Sequence, residues 1–345
     1  MKAKINKTNW RLILTVITIV ALAAFIIFSR SHIISAIESL HKVDLWALSL
    51  IIPVELLNYY AQTRLYQDCL RSLGYKLSKK FLFKFSLELN FIATVFPSAG
   101  ISALSYTNIR LKSKSVSRAN ASLVHLVKTI NVFLSFLILL SVGLFLLALG
   151  GRASSLVILF AGIIVTILVF LSISAVYLIA SKERIDSFFT FVTVLINRII
   201  YFLRPNVQEA INVTRAKRVF SELHDGYLIF RNDMGQLKRP FMWGLLANFT
   251  EVLALYVVYI AFGHWVNPGA IILAYAIANF GGFLSVLPGG AGVYETLMTI
   301  VLAAAGIPPS ESLPITIMYR IANTGIQIVP GYFYYQRALT PEDKI

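Results

Sequence analysis

The chain is predicted to be an all-α polytopic membrane protein, with about six full transmembrane helices plus two broken, re-entrant helical hairpins in inverted-topology halves. Three observations predict it. Of 345 residues, 57% are hydrophobic and only 14% charged, so most of the chain must lie in lipid instead of around one soluble core. The Leu/Ile/Val/Phe runs exceed the length of a barrel strand and lack period-2 alternation, which argues against an outer-membrane barrel. Two of the runs are interrupted at their middles by proline followed by small residues. In membrane transporters such a matched pair points to a substrate site near the bilayer midplane.

The first run, Trp10 to Phe28, follows a basic stretch and resembles a signal peptide in outline. It is as long as a full span and no A-x-A-like cleavage site follows it, so it is read as a retained first helix. The remaining runs are Asp44–Thr63, Phe81–Tyr106 broken at Pro97, Ser122–Leu149, Ser154–Ala180, Phe241–Phe262, Gly269–Gly306 broken at Pro288, and Leu313–Tyr335. Basic residues orient them. With the N-terminus inside, Lys and Arg fall on the cytoplasmic side or its interface, apart from Arg30, Lys42 and Arg152 outside and Lys128 and Arg320 within spans. Both termini are therefore expected in the cytoplasm, in a plasma (inner) membrane. The net charge of +15 marks a face apposed to anionic lipid, and no nucleic-acid motif accompanies it. A single cysteine, Cys69, excludes an internal disulfide and Cys-rich metal sites.

Lys79, Lys80 and Lys84 precede the first broken segment, and Arg110, Lys112 and Lys114 follow it. Both of its ends are thus cytoplasmic. The part after Pro97 is about ten residues long, roughly 15 Å as helix, or half a hydrocarbon core. A hairpin dipping in from the cytoplasm fits this length. The second broken segment begins and ends outside and would dip from the opposite face. The alternative is that Gly269–Leu287 spans and Ala291–Gly306 spans back, which leaves the C-terminus on the same side. The organisation is then an N-terminal half, 1–180, with its hairpin at 81–106, and a C-terminal half, 241–345, with its hairpin at 269–306. A basic cytoplasmic linker, 181–240, joins them, with an interfacial helix at Phe188–Leu203. A second interfacial helix is expected at Ser31–Val43, where Ile33, Ile37 and Leu40 share a face.

Six ionisable residues fall inside these spans or hairpins: Glu55, Glu88, Lys128, Glu251, Glu295 and Arg320. A lipid-facing charge near the bilayer centre costs roughly 2.5–3.5 kcal/mol, so all six must face protein or a wet cavity. Lys128 lies near a cytoplasmic end and can snorkel; Glu88 can pair with Lys84 four residues earlier. Glu55 with Asn58, and Asn248 with Glu251, have the i,i+3 spacing of interhelical glue. Glu295 falls in the first turns of the half-helix after Pro288-Gly289-Gly290-Ala291-Gly292, where free N–H groups favour an anion: the Glu itself or a substrate group. Arg320, with Asn323 and Gln327 on the same helix, can hold a carboxylate or phosphate bidentately, or simply pair with Glu295. Gly289, Gly290 and Gly292, like Ser98, Ala99 and Gly100, permit unwound backbone and close approach to a ligand. The candidate substrate-binding set is therefore Pro97, Gly100, Pro288, Gly289, Gly290, Gly292, Glu295, Arg320 and Asn323, with Glu55, Glu88, Lys128 and Glu251 as secondary members. No P-loop, H-E-x-x-H or G-x-S-x-G motif occurs. Neither an enzymatic reaction, a metal nor another cofactor is expected.

At these residues the chain resembles the lysylphosphatidylglycerol synthase transmembrane family, a flippase-like module. The resemblance is carried by Leu287-Pro288-Gly289-Gly290-Ala291-Gly292-Val293-Tyr294-Glu295, Tyr319-Arg320-Ile321 and Val329-Pro330-Gly331. In the first half it rests more loosely on Arg64, Leu70, Gly74 and Pro97 to Gly100. Many members follow the first Pro…Gly with an acidic residue and an arginine; this chain has Ile101-Ser102-Ala103-Leu104-Ser105-Tyr106 instead. The aminoacyl-transferase domain of two-part synthases is not expected, nor is lysyl-lipid synthesis. The resemblance implies movement of a phospholipid or lipid-linked polar headgroup between leaflets, with membrane lipids as partners and a lipid-modifying enzyme as a further one. Two other readings stay open: a channel or small-solute transporter, and a non-transporting accessory protein of a membrane glycosyltransferase.

Overall fold

Backbone polar groups find no water inside a bilayer, so a chain this apolar closes them within helices. The described residues of the computed structural model, 30, 34, 38, 43–96, 101–149, 155–203, 224, 227–284 and 290–339, contain helix and no strand. The expected span Trp10–Phe28, most of Ser31–Val43, the middle of the linker and the breaks at Pro97–Gly100 and Pro288–Gly289 lie outside them.

A single turn, α1 (Leu45–Ser49), is capped by Asp44, whose Oδ1 accepts from the Trp46 and Ala47 amides at 2.9 and 3.3 Å. It leads into α2 (Ile51–Ser72). The first broken segment forms α3 (Lys79–Val95) and α4 (Ile101–Lys112), followed by α5 (Arg118–Leu149), α6 (Ser155–Ile179) and α7 (Lys182–Leu203). After a 3₁₀ turn at Met234–Leu237 come α8 (Lys238–Ala261), the second broken segment as α9 (Pro268–Leu284) and α10 (Val293–Ala304), and finally α11 (Pro309–Leu339). The arms of the two broken segments match in length, 17 and 12 residues in each. None reaches the ~20 residues of a full span.

Several boundaries differ from the hydropathy reading. Helix α2 runs past Thr63 to Ser72, because Leu65, Tyr66, Cys69 and Leu70 continue its buried face. Helix α11 extends beyond both Leu313 and Tyr335, and carries Pro314 and Pro330 inside it. Helix α7 starts at Lys182, ahead of Phe188. By length and apolarity, Arg118–Leu149 and Met234–Ala261 qualify as membrane spans by themselves among the described residues; Gly162–Leu178 qualifies only together with Lys182–Val192, across a 107° bend. Helices α2 and α11 fall short because they are too polar, and many of their polar groups, among them Glu55, Asn58, Gln67, Thr316 and Asn323, are buried in protein.

The halves interlock. Helices α2 and α8 run antiparallel, tied by Asn58 Nδ2 donating to the Ala247 carbonyl at 2.8 Å and to Thr250 Oγ1 at 3.0 Å, and by the Asp44 amide donating to the Ala261 carbonyl at 2.8 Å. Helix α3 of the first broken pair packs on α11, and α9 of the second packs on α5. Small residues make both approaches possible. A Cβ on Gly331 would stand 2.5 Å from Phe91 Cβ, and one on Gly269 would stand 2.5 Å from the Gly143 carbonyl. One apolar cluster gathers Leu140, Leu147, Leu255, Ile271, Leu273 and Leu302; another gathers Tyr66, Phe85, Phe91 and Tyr335. Helices α5 to α7 instead expose large apolar side chains, among them Phe145, Ile158, Phe170 and Ile173, as a lipid-facing surface does.

The contact at Gly331 gives a direct test. Gly331→Ala forces α3 and α11 apart and should cost about 1–3 kcal/mol by thermal unfolding of the purified protein. Gly325→Ala, whose added Cβ meets nothing within 4 Å, should leave stability unchanged or raise it by up to ~1 kcal/mol.

Candidate functional site

Between the two broken pairs lies a cavity of about 470 Å³. Eight helices contribute to its wall. The first half supplies Asn58 and Gln62 from α2, Asn90 and Thr94 from α3, Ala103 from α4, and His125, Lys128 and Thr129 from α5. The second half supplies Asn248 and Glu251 from α8, Tyr275 and Asn279 from α9, Tyr294 from α10, and Tyr319, Arg320, Asn323 and Gln327 from α11, with Gly290 beside the second break. A wall this polar, set within helices this apolar, is costly unless its groups are engaged with one another or with a ligand.

Most of them are engaged. Glu251 Oε2 accepts from Tyr319 Oη at 3.1 Å and from Asn323 Nδ2 at 3.2 Å. Asn323 Oδ1 accepts from Gln327 Nε2 at 2.9 Å, and Gln327 Oε1 accepts from Thr94 Oγ1 at 3.4 Å. This chain of bonds crosses the cavity from α8 through α11 to the end of α3 beside the first break. On the α2 side, Gln62 Nε2 donates to Asn58 Oδ1 at 2.6 Å.

At the second break the backbone turns through two left-handed glycines, Gly290 at φ +67° and Gly292 at φ +84°. Gly290 also lies so near Gly282 that a Cβ would stand 2.8 Å from its Cα. Any other residue there would be strained twice over. Glu295, the third residue of α10, reaches back so that its Oε2 accepts the Gly292 amide at 2.7 Å. Its Oε1 accepts from Arg320 Nη1 at 2.5 Å. The guanidinium also lies 4.9 Å from the Tyr294 ring centroid. Glu295 is thus helix cap and ion-pair partner at once, and it fixes Arg320 at the cavity wall.

The sequence-predicted residues separate into groups. Lys128, Glu251, Gly290, Arg320 and Asn323 line the cavity. Glu295 stands behind Arg320, and Gly292 is exposed. Glu88 lies elsewhere: its carboxylate accepts from Tyr106 Oη at 2.7 Å and from Arg110 Nε at 2.8 Å, clamping α3 to α4, while Lys84 sits over the Tyr334 ring. Lys128 does not snorkel outward; its Nζ turns into the bundle, 5.5 Å from the Tyr66 ring centroid. Glu55 is buried where α2 faces α8, at the level of Glu251, and its carboxyl oxygens have no hydrogen-bond partner among the described residues. Pro97, Gly100, Pro288 and Gly289 lie outside the described residues.

Residues that the sequence reading left out of the site include Asn90 and Asn279. Their signal was present, because each begins an Asn-Phe pair in the longer arm, a few residues before the break, and both asparagines line the cavity. His125, Tyr275 and Tyr319 carried no such mark, since an aromatic ring in an apolar helix reads as core.

The Glu295–Arg320 pair is testable by a cycle of substitutions. Arg320→Met alone strands a buried carboxylate and should lower stability by about 3 kcal/mol, whereas Arg320→Met with Glu295→Leu should recover much of that loss. Thermal unfolding of the four proteins decides it; equal stability of the single and double variants would count against a buried pair.

Residues 12–331 match the family described as the lysylphosphatidylglycerol synthase TM region. Among curated proteins, the chain is 34% identical over 98 residues to a UPF0104 membrane protein of Methanothermobacter thermautotrophicus, covering 28% of this chain and 29% of that one. It is 23% identical over 158 residues to a UPF0104 membrane protein of Methanocaldococcus jannaschii, covering 46% and 45%. A second Methanothermobacter protein of the same description is 28% identical over 127 residues, covering 34% and 37%. Each alignment thus spans less than half of the relative's length. With the family match running over nearly the whole chain, through both broken helix pairs and the Glu295–Arg320 pair, the protein belongs to the lysylphosphatidylglycerol synthase transmembrane-region family of membrane proteins.

Proposed function

We propose that this protein is a lipid translocase that moves a phospholipid or lipid-linked polar headgroup from one leaflet to the other. The observation that carries the reading is the polar cavity walled by both broken helix pairs. Its volume lies in the range of small-molecule sites and suits a headgroup whose acyl chains remain in lipid. Discontinuous helices at the interface of two repeats are the architecture by which membrane transporters bind polar cargo at mid-depth.

In this reading α3/α4 and α9/α10 are re-entrant hairpins entering from opposite faces, and the halves 1–180 and 241–345 are inverted repeats. The equal arm lengths support it, as does the way each longer arm leans on the long helix of the other half. Rocking of the two hairpin-bearing units around the shared cavity then opens it alternately to each leaflet. Both termini and the 181–240 linker lie in the cytoplasm, with the basic linker against the anionic leaflet of the plasma (inner) membrane. No covalent step is assigned to the protein, which would act on membrane lipids, alone or beside a lipid-modifying enzyme.

Reconstitution tests the reading. Purified protein in liposomes should accelerate leaflet exchange of a labelled phospholipid or polyprenyl-linked sugar, scored by protection from an impermeant quencher. Asn90→Leu and Asn279→Leu, each removing one polar group from the wall, should slow exchange about tenfold, the equivalent of ~1.4 kcal/mol. Ionic conductance in a planar bilayer, or no exchange of any such lipid by folded protein, would overturn it. The topology is checked separately at Gly235→Cys, which should react with an impermeant thiol reagent only from the inside; the native Cys69 is buried.

A further inference from the structure

The shorter arms of the two halves, and the long helices that follow them, share one sequence offset at several positions. Helix α4 begins at Ile101 where α10 begins at Val293, and ends at Lys112 where α10 ends at Ala304, an offset of 192 at both ends. The same offset carries Gly100 to Gly292, Lys128 to Arg320 and Asn131 to Asn323. Each long helix thus presents a cation with an asparagine one turn on. It does not extend to every residue of the wall, and one departure bears on charge. Where the second half has Glu295, the first has Ala103.

Arg320 is neutralised by Glu295 at 2.5 Å. Lys128 faces the same cavity with Ala103 on the matching arm, and its close contact is the face of Tyr66. Glu251, on the same wall, attracts Lys128 across the cavity but is held by Tyr319 and Asn323 on α11 and makes no close ion pair with the lysine. Beside Lys128 the wall carries His125, Thr129, Asn58 and Gln62. A cation beside these neutral groups, with no carboxylate oxygen in ion-pair contact among the described residues, is placed to receive an anion.

We propose that Lys128 is the anion-binding group of the cavity and takes a phosphate of the cargo. Naming a lipid as the bearer of that phosphate rests on the translocase reading; the phosphate site itself rests on the wall. The missing acid at position 103 keeps the site charged, so the loss of one ion pair from the first half is what makes a ligand site of it.

The full chain, purified in a phosphate-free detergent, tests this by ligand-dependent thermal shift with phosphatidylglycerol, diacylglycerol and inorganic phosphate. Phosphatidylglycerol should stabilise the protein and diacylglycerol should not. Lys128→Gln should weaken phosphatidylglycerol binding roughly tenfold to hundredfold, and Lys128→Arg should largely restore it. Ala103→Glu rebuilds the acid of the other half and should abolish binding in a protein that still folds, whereas Ala103→Gln, of equal bulk and no charge, should lose distinctly less. Stabilisation by inorganic phosphate alone, equal to that by the lipid, keeps the phosphate site and overturns its assignment to a lipid. Equal binding of diacylglycerol, unchanged affinity in Lys128→Gln, or equal losses in both Ala103 variants overturns the site. Phosphatidylglycerol binding at Lys128 without leaflet exchange in liposomes leaves the site standing and removes the translocase reading.

Discussion

A helix that stops inside an apolar bundle leaves backbone N–H and C=O groups in need of partners, and the fold is arranged around that debt. Such ends are tolerated only inside protein or beside a polar cavity. Here residues flanking both interruptions, Phe96 and Ala103 in one half and Gly290 and Tyr294 in the other, line one cavity, and the long helices surround it. Each broken pair leans on the other half as well as on its own: α3 rests on α11 and α9 on α5. The interlocking of the halves and the polar cavity are therefore two aspects of a single solution. Apolar packing covers one side of the arms, and the polar side chains of Asn90, Thr94 and Asn279 line the cavity on the other.

The buried charges follow the same division. Glu88 with Arg110 and Tyr106, and Asp68 with Trp243, tie elements together away from the cavity. Glu295 with Arg320 joins a half-helix to its neighbour at the cavity wall. Pairs of this kind contribute less to net stability than to holding a particular arrangement, because desolvation offsets most of their attraction. What they do secure is position. Arg320 reaches the cavity in a fixed pose because the carboxylate holding it is itself anchored to the Gly292 amide.

Much of this was legible in the sequence, and the reasons are physical. Proline and glycine in mid-run declared both breaks, since each forbids or frees a backbone conformation in a way that no neighbour can disguise. The arginine inside an apolar helix declared itself by its cost. Helix ends were read less well. Hydropathy finds where lipid begins, whereas α2 continues for a further two turns under cover of protein, around Tyr66 and Cys69. The amides of the wall were the hardest to see, because Asn90 or Gln327 alone looks like ordinary interhelical glue; only the meeting of eight helices turns them into a site. Partners of charges were misjudged for a related reason. The spacing of Lys84 and Glu88 satisfies the local rule, but a buried carboxylate is better served by the forked donor of Arg110 and a phenol from the returning arm.

The reliance of α3 on α11 also bears on how the molecule is made. The helix that supports the first interrupted segment is the last described one to leave the ribosome, more than two hundred residues later. Until it arrives, α3 must wait in the bilayer with Phe91 and its neighbours uncovered and the end of the helix unsheltered. The local bridge from Glu88 to Arg110 lies within the segment itself, so its charges are paired during that wait. Biogenesis of this fold is thus a late-closing process, in which the C-terminal helix acts as a latch, and a chain cut short before α11 forfeits the structure of its beginning along with its end.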